Sequence, residues 1–288
     1  MPAISISHLF QEKKQVIVLI ISKIWLIFLL PTPIFSQTWQ ENTQHTFNHI
    51  SQVSQDRYGN VYVVEQEGVI HQFDSLGRKQ NSIYSPPLVA GVTLFEARST
   101  VRFFAFYRDL QSFTLLNRFL TPIENYKFDE EKIRFVRVAN LSADNQLWLV
   151  DDVDFSIKKF DKNFNNIVLR TPLDLLLKNT DYDINYLCEY QNQLFLNDKN
   201  TGIFIFDNLA NFKKKIALNK GADSFNFLDE EIYFLENENI RIIHLYNLQE
   251  RTLSLPTWEG KKIEAKKVLL RNDKLFLFTE NQMFFFTK

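Results

Sequence analysis

A chain of 288 residues with 33 basic and 34 acidic side chains has a formal net charge of −1. Such a balance lacks the clustered positive excess of a nucleic-acid surface. A 45% hydrophobic content with only 7 glycines excludes disordered and collagen-like classes. The lone cysteine, Cys188, rules out an internal disulfide framework, and its setting in Tyr186-Leu187-Cys188 reads as a buried structural thiol.

The chain opens with Lys13 and Lys14, then the apolar run VIVLIISKIWLIFLL at 16–30, then Pro31-Thr32-Pro33 and Ile34-Phe35-Ser36-Gln37. Basic, apolar, helix-breaking and small residues in that order are the pattern of a bacterial export signal. Cleavage is expected after Ser36, dividing the chain into a signal peptide at 1–36 and a mature part at 37–288, although Ile34 is larger than the usual residue three places before the cut. The other reading is a retained anchor. Against it, the run spans only about 23 Å as a helix, short of the ~30 Å hydrocarbon core, and Lys23 interrupts it. No cysteine follows the run, so lipid attachment to a thiol has no acceptor.

After residue 45 one unit recurs. Its second strand is strongly apolar, centred on Tyr62, Phe104, Trp148, Phe195, Tyr233 and Phe276, at spacings of 42, 44, 47, 38 and 43 residues. Its third strand is expected to end at Phe73, Leu116, Phe160, Phe206, Tyr246 and Phe286, at spacings of 43, 44, 46, 40 and 40. Turns between them carry Gly59-Asn60, Asp144-Asn145, Gln191-Asn192, Asp229-Glu230, Asn272-Asp273 and Asn237-Glu238-Asn239. Asn, Asp and Gly tolerate the positive φ of tight hairpins. The only plausible helix is a short one at 172–178 (PLDLLLK), with Pro172 in its first turn.

Repeats of about 40 residues with four strands each predict an all-β, six-bladed β-propeller with antiparallel blades. The last blade runs out after its third strand at Phe286. The segment 38–47 is therefore expected to supply its outer strand and to close the ring.

Blade one reads Asp56-Arg57-Tyr58-Gly59-Asn60-Val61-Tyr62-Val63, then Gly68-Val69-Ile70 and Phe73-Asp74-Ser75-Leu76-Gly77. This resembles the repeat of NHL-type propellers and of the related YWTD-like and TolB-like six-bladed proteins. Blade three keeps the outline with Asp144-Asn145-Gln146-Leu147-Trp148, and blade four keeps Gly202-Ile203-Phe204-Ile205-Phe206-Asp207; the others depart further. The resemblance implies the fold and not an activity.

In such propellers the loops joining one blade to the next gather on the face where ligands usually sit. Candidate contacts there are Tyr126, Tyr182 and Trp258, with Asp183 for charge and Arg134 and Arg137 beside a channel strand. Each reads first as an ordinary loop residue, and the arginines as solvated or as partners of nearby carboxylates. The acidic stretch Asp151, Asp152, Asp154 lacks a calcium-loop pattern and reads as a solvated turn. His45, His49, His71 and His244 have no metal-site spacing, and no nucleophile elbow, zinc-protease motif or phosphate loop is present.

These features favour a non-catalytic binding or scaffold propeller, exported to the periplasm, outer membrane or extracellular space. It is expected to be a monomer with no cofactor and no catalytic or metal residues. Its ligand is expected to be a protein, glycan or small molecule, with membrane contact only if the signal segment is kept. The alternative is a hydrolase or lyase of the lactonase-like propeller type, with a channel metal held by residues dispersed over several blades.

Overall fold

The computed structural model describes residues 38–99, 101–178, 181–218 and 222–288. The expected signal peptide, 1–36, lies outside them. Six four-stranded antiparallel sheets follow one another along the chain. From inner to outer strand, blade one is Ile50–Gln55, Val61–Glu65, Ile70–Phe73 and Lys79–Tyr84. Blade two is Leu94–Glu96, Phe103–Tyr107, Ser112–Leu116 and Pro122–Lys127. Blade three is Val136–Leu141, Leu147–Asp151, Ser156–Asp161 and Asn166–Pro172. Blade four is Ile184–Tyr190, Gln193–Asp198, Gly202–Asp207 and Phe212–Ala217. Blade five is Phe225–Leu228, Glu231–Glu236, Asn239–His244 and Glu250–Ser254. Blade six is Lys267–Arg271, Lys274–Phe278 and Gln282–Thr287, completed by Gln40–Thr46.

That last pairing is the predicted closure. Gln40–Thr46 runs antiparallel to Gln282–Thr287, with Gln40 opposite Thr287 and Thr46 opposite Gln282. The inner strand of blade six then packs beside that of blade one, so the ring is continuous.

Second and third strands are sandwiched between neighbouring blades, so they read as unbroken apolar runs instead of alternating. Tyr62, Phe104, Trp148, Phe195, Tyr233 and Phe276 are all buried in those seams. Outer strands have one face in water and alternate, as in Asn166–Pro172. The turns use the predicted chemistry: Asn145, Gln191, Asn192, Asp229, Asn237, Glu238 and Asn272 all have positive φ. The Asp of the blade-one motif is a turn organiser. Asp56 accepts from the backbone N–H of Tyr58 and Asn60 (both 2.9 Å), from Asn60 Nδ2 (2.8 Å) and from Tyr62 O–H (3.2 Å).

Two expectations are corrected. No helix forms at 172–178. Pro172 ends the outer strand of blade three, and the backbone N–H groups of Leu176 and Leu177 both reach Leu173 O at 2.9 Å in a single turn. The reason is that Leu173 and Leu177 are pulled into the core, and one turn is too short to repay helix nucleation. In blade five the third strand ends at His244, not Tyr246, which is exposed in the following turn. Ile243, opposite Ile232, is the true counterpart of Phe206. The spacing of third-strand ends around it becomes 37 and 43 residues, in step with the second strands.

Candidate functional site

Inner strands line the channel, and two non-neighbouring blades touch across it. Glu96, at the end of the blade-two inner strand, accepts a hydrogen bond from Tyr186 O–H of blade four at 2.8 Å. The other Glu96 oxygen accepts from Ser54 Oγ of blade one (3.3 Å) and from the Arg98 backbone N–H (2.9 Å). The Arg98 guanidinium pairs with Glu96 at 3.3 Å and lies 5.0 Å from the Phe227 ring centre and 5.5 Å from that of Tyr190. Those two rings are themselves stacked at 4.1 Å. Burial works against the Arg98 charge, but Glu96 outweighs it and lifts the guanidinium above its ordinary range. Cys188 lies behind this group, and burial pushes its thiol up to about 12 despite Arg98.

A cavity of about 540 Å³ opens at each end of the channel, and Asn226 is the one lining residue they share. The upper cavity is on the face of the inter-blade loops. Into it reach Arg108 of blade two, Asp183 and Lys199 of blade four, Asp223 of blade five and Lys267 of blade six. Lys199 pairs with Asp223 at 2.9 Å. Lys267 Nζ has no such partner among the described residues, and burial holds its ammonium below the ordinary lysine range, with Asp223 opposing and Lys199 adding to the shift. The lower cavity is lined by first-to-second turns and the ends of inner strands, including Arg57, Glu189, Asp229 and Arg271. No histidine lines either cavity, and among the described residues no three His, Cys, Asp or Glu side chains converge on a metal-sized site.

The sequence-predicted contacts divide into four groups. Arg137 and Tyr182 come together: Arg137 Nε donates to Asp152 Oδ1 at 2.5 Å, Tyr182 O–H donates to the same oxygen at 3.1 Å, and the guanidinium stacks 4.7 Å from the Tyr182 ring. Asp183 lines the upper cavity, its backbone N–H held by Asp198 Oδ1 at 2.6 Å. Arg134 is exposed, with its backbone N–H 3.3 Å from Asp151 Oδ2. Tyr126 and Trp258 pack away from the channel. Tyr126 stacks on Phe113 at 5.2 Å, while Trp258, in the hairpin Thr257–Trp258 and Lys261–Lys262, sits 5.3 Å from Phe284 and 5.6 Å from Phe286.

The acidic turn is ion-paired rather than merely solvated. Lys158 reaches Asp151 at 2.7 Å and Asp154 at 2.9 Å, and Arg170 reaches Asp154 at 3.0 Å. Burial raises the Asp154 carboxyl, but Ser156, Lys158 and Arg170 together hold it below the usual range. Sequence reasoning missed Glu96, Tyr186, Arg108, Lys199 and Lys267. Their only sequence signal is a polar residue at an inner-strand or turn position that a core would fill with an apolar one.

No family model matches the chain, and no curated protein matches it in sequence. Solved structures match in fold. Virginiamycin B lyase from Staphylococcus aureus superposes with a TM-score of 0.60 at 10% identity, covering 87% of this chain and 100% of the lyase. The Pan2 WD40 domain of Neurospora crassa gives 0.59 at 10% identity over 89% and 97%. The Cps50 (Swd1) propeller domain of Myceliophteria thermophila gives 0.61 at 10% identity over 87% and 100%. At these identities the likeness is one of fold.

Proposed function

We propose that the chain is a non-catalytic binding propeller of the NHL-like kind that works in the cell envelope after export, taking an anionic ligand in its upper cavity. The observation that carries this reading is the composition of that cavity. Five blades bring charged and amide side chains to it, and Lys267 is left as a half-buried cation without an ion pair among the described residues. A ligand carboxylate or phosphate would supply that counter-ion. No histidine lines either cavity, and burial keeps the thiol of Cys188 in its protonated form. The export part of the reading is supported by the order Lys13-Lys14, apolar run, Pro31 and Ser36.

The test is calorimetric titration of the purified protein with uronic acids, dicarboxylates and sugar phosphates. Saturable binding that falls at least about tenfold in Lys267→Gln is expected. Absence of binding across the panel would sink the ligand class. The similarity to a lyase fold supports a second reading, a metal-dependent hydrolase or lyase. Turnover that appears with added Ca²⁺, Mg²⁺ or Zn²⁺ and disappears with chelator would establish that reading in place of the first.

A further inference from the structure

A groove of about 540 Å³ lies between blades one and two on the lower side of the ring. One side chain sets it apart from the other seams. On each third strand, the residue opposite the large second-strand aromatic faces the next blade. It is Leu115, Ile205, Ile242 and Phe285 in blades two, four, five and six, all buried. Blade three has Lys159, which lies over the Trp148 ring and pairs with Asp144. Blade one has Gln72, opposite Tyr62. Gln72 Nε2 donates to the Tyr62 hydroxyl oxygen at 3.1 Å, while Gln72 Oε1 has no hydrogen-bond partner among the described residues. The outer strand beside it adds Gln80, Asn81 and Ser82 to the lining. Two exposed rings flank these polar groups: Tyr58 on the blade-one side, 71% exposed, and Phe119 on the blade-two side, 59% exposed. Both are fixed by their turns, since the Tyr58 N–H donates to Asp56 Oδ1 at 2.9 Å and the Phe119 N–H to Asn117 Oδ1 at 2.8 Å.

We propose that this groove binds a neutral oligosaccharide. Amide and hydroxyl side chains both donate and accept, as the hydroxyls of a sugar do. Flat aromatic rings offer apolar faces to the C–H faces of a pyranose. The Arg118 guanidinium lies 4.7 Å from the Phe119 ring centre and covers one face, which holds the ring in place and leaves the other face open. The volume is within the ~300–1,000 Å³ of small-ligand sites. Charge gives no ionic ligand a firm hold. Only Asp56 and Arg118 are charged among the lining residues. Asp56 is engaged by the N–H groups of Tyr58 and Asn60, by Asn60 Nδ2 and by Tyr62 O–H. Arg118 is exposed, where water and salt weaken its attraction. The charged residues adjacent in sequence are directed elsewhere. Arg57 lines the lower cavity, Lys79 lines a separate pocket beside His71, Arg78 pairs with Asp74, and Arg102 donates to Asn145 of blade three. A peptide added to the edge of Lys79–Tyr84 would use backbone groups that every outer strand offers, and it would have no need of Gln72. The groove shares no lining residue with the upper cavity, so either proposal can fail without the other.

The test is calorimetric titration of the full chain with cellotetraose, maltotetraose, mannotetraose and N-acetylchitotetraose, at about 0.15 and about 0.5 M NaCl. Saturable binding of at least one of them, equal at both salt concentrations, is expected. Gln72→Leu, which gives blade one the residue of blade two, and Phe119→Ala are each expected to weaken it by at least about tenfold. Phe119→Ala alters only an exposed turn side chain, so it tests the site even where Gln72→Leu lowers stability. The proposal is overturned if none of the four sugars binds, or if binding survives Phe119→Ala unchanged. It is also overturned by binding that weakens about tenfold at the higher salt, the mark of an ionic contact. Binding that is lost in Lys267→Gln and kept in Phe119→Ala would put the sugar in the upper cavity instead.

Discussion

Cys188 and Lys267 illustrate how burial sets chemistry at single positions. The Cys188 thiol is pushed up to about 12, so it is protonated throughout the ordinary pH range. Iodoacetamide at about pH 8 is expected to leave the folded protein unmodified and to alkylate it fully in guanidinium, as mass spectrometry will show. Lys267 is displaced in the direction that opposes its charge. As pH rises, the folded chain releases this proton before the unfolded chain does, so the unfolded state binds more protons across that window and stability climbs with pH. Lys267→Gln is therefore expected to raise Tm near pH 7, with an advantage that shrinks towards about pH 10, where the unfolded lysine also loses its charge. The charged groups acting on it are Asp223 and Lys199, already paired with each other. An equal Tm gap at both pH values would contradict this account.

At the scale of the strand, the hairpins depend on a few backbone positions that side chains rarely adopt. Gly202 opens the third strand of blade four at φ +123, and a Cβ there would stand 2.2 Å from Ile216 O. The obstacle is backbone, which cannot rotate away. Gly202→Ala is expected to cost about 2–4 kcal/mol, read from urea denaturation. Gly260, at the tip of the small hairpin, has open space around its Cβ direction, and Gly260→Ala is expected to cost less, its strain arising from φ alone. The strand pattern was legible because the second strands are buried on both sides and so are apolar without interruption. The blade-five third strand was not, because Ile240, Ile242 and Ile243 do the packing while the aromatic Tyr246 that catches the eye is in the turn beyond. Likewise Leu173, Leu176 and Leu177 suggest a helical period, yet their burial is dictated by the neighbouring blades.

At the scale of the molecule, the ring is held by one seam between the two ends of the described chain. Gln40–Thr46 contributes a mostly exposed strand, but it covers the edge of Gln282–Thr287, whose Met283, Phe284, Phe285 and Phe286 are buried. Removing residues 38–46 would leave that edge unpaired and the apolar face beside it wet. Such a truncation is expected to lose the single cooperative thermal transition and to aggregate, with light scattering as the measurement. A truncation that unfolds as sharply as the parent would show that blade six is stable with three strands.

The number of blades, their four-strand pattern and the need for a strand from the front of the chain all follow from the sequence. They depend on local periodicity and on a count that comes up one strand short, and neither requires knowledge of distant contacts. The site is another matter. Glu96 and Tyr186 are 90 residues apart, and Lys199, Asp223 and Lys267 come from three different blades. Their local sequence marks them only as polar residues at inner-strand or turn positions, because they acquire a role only when the ring brings inner strands face to face. Arg137 and Tyr182 were recognisable as candidates, but only the tertiary structure shows them sharing Asp152. A propeller writes its scaffold in short-range repeats and assembles its channel from residues scattered over several blades, so the first is readable along the chain and the second only across it.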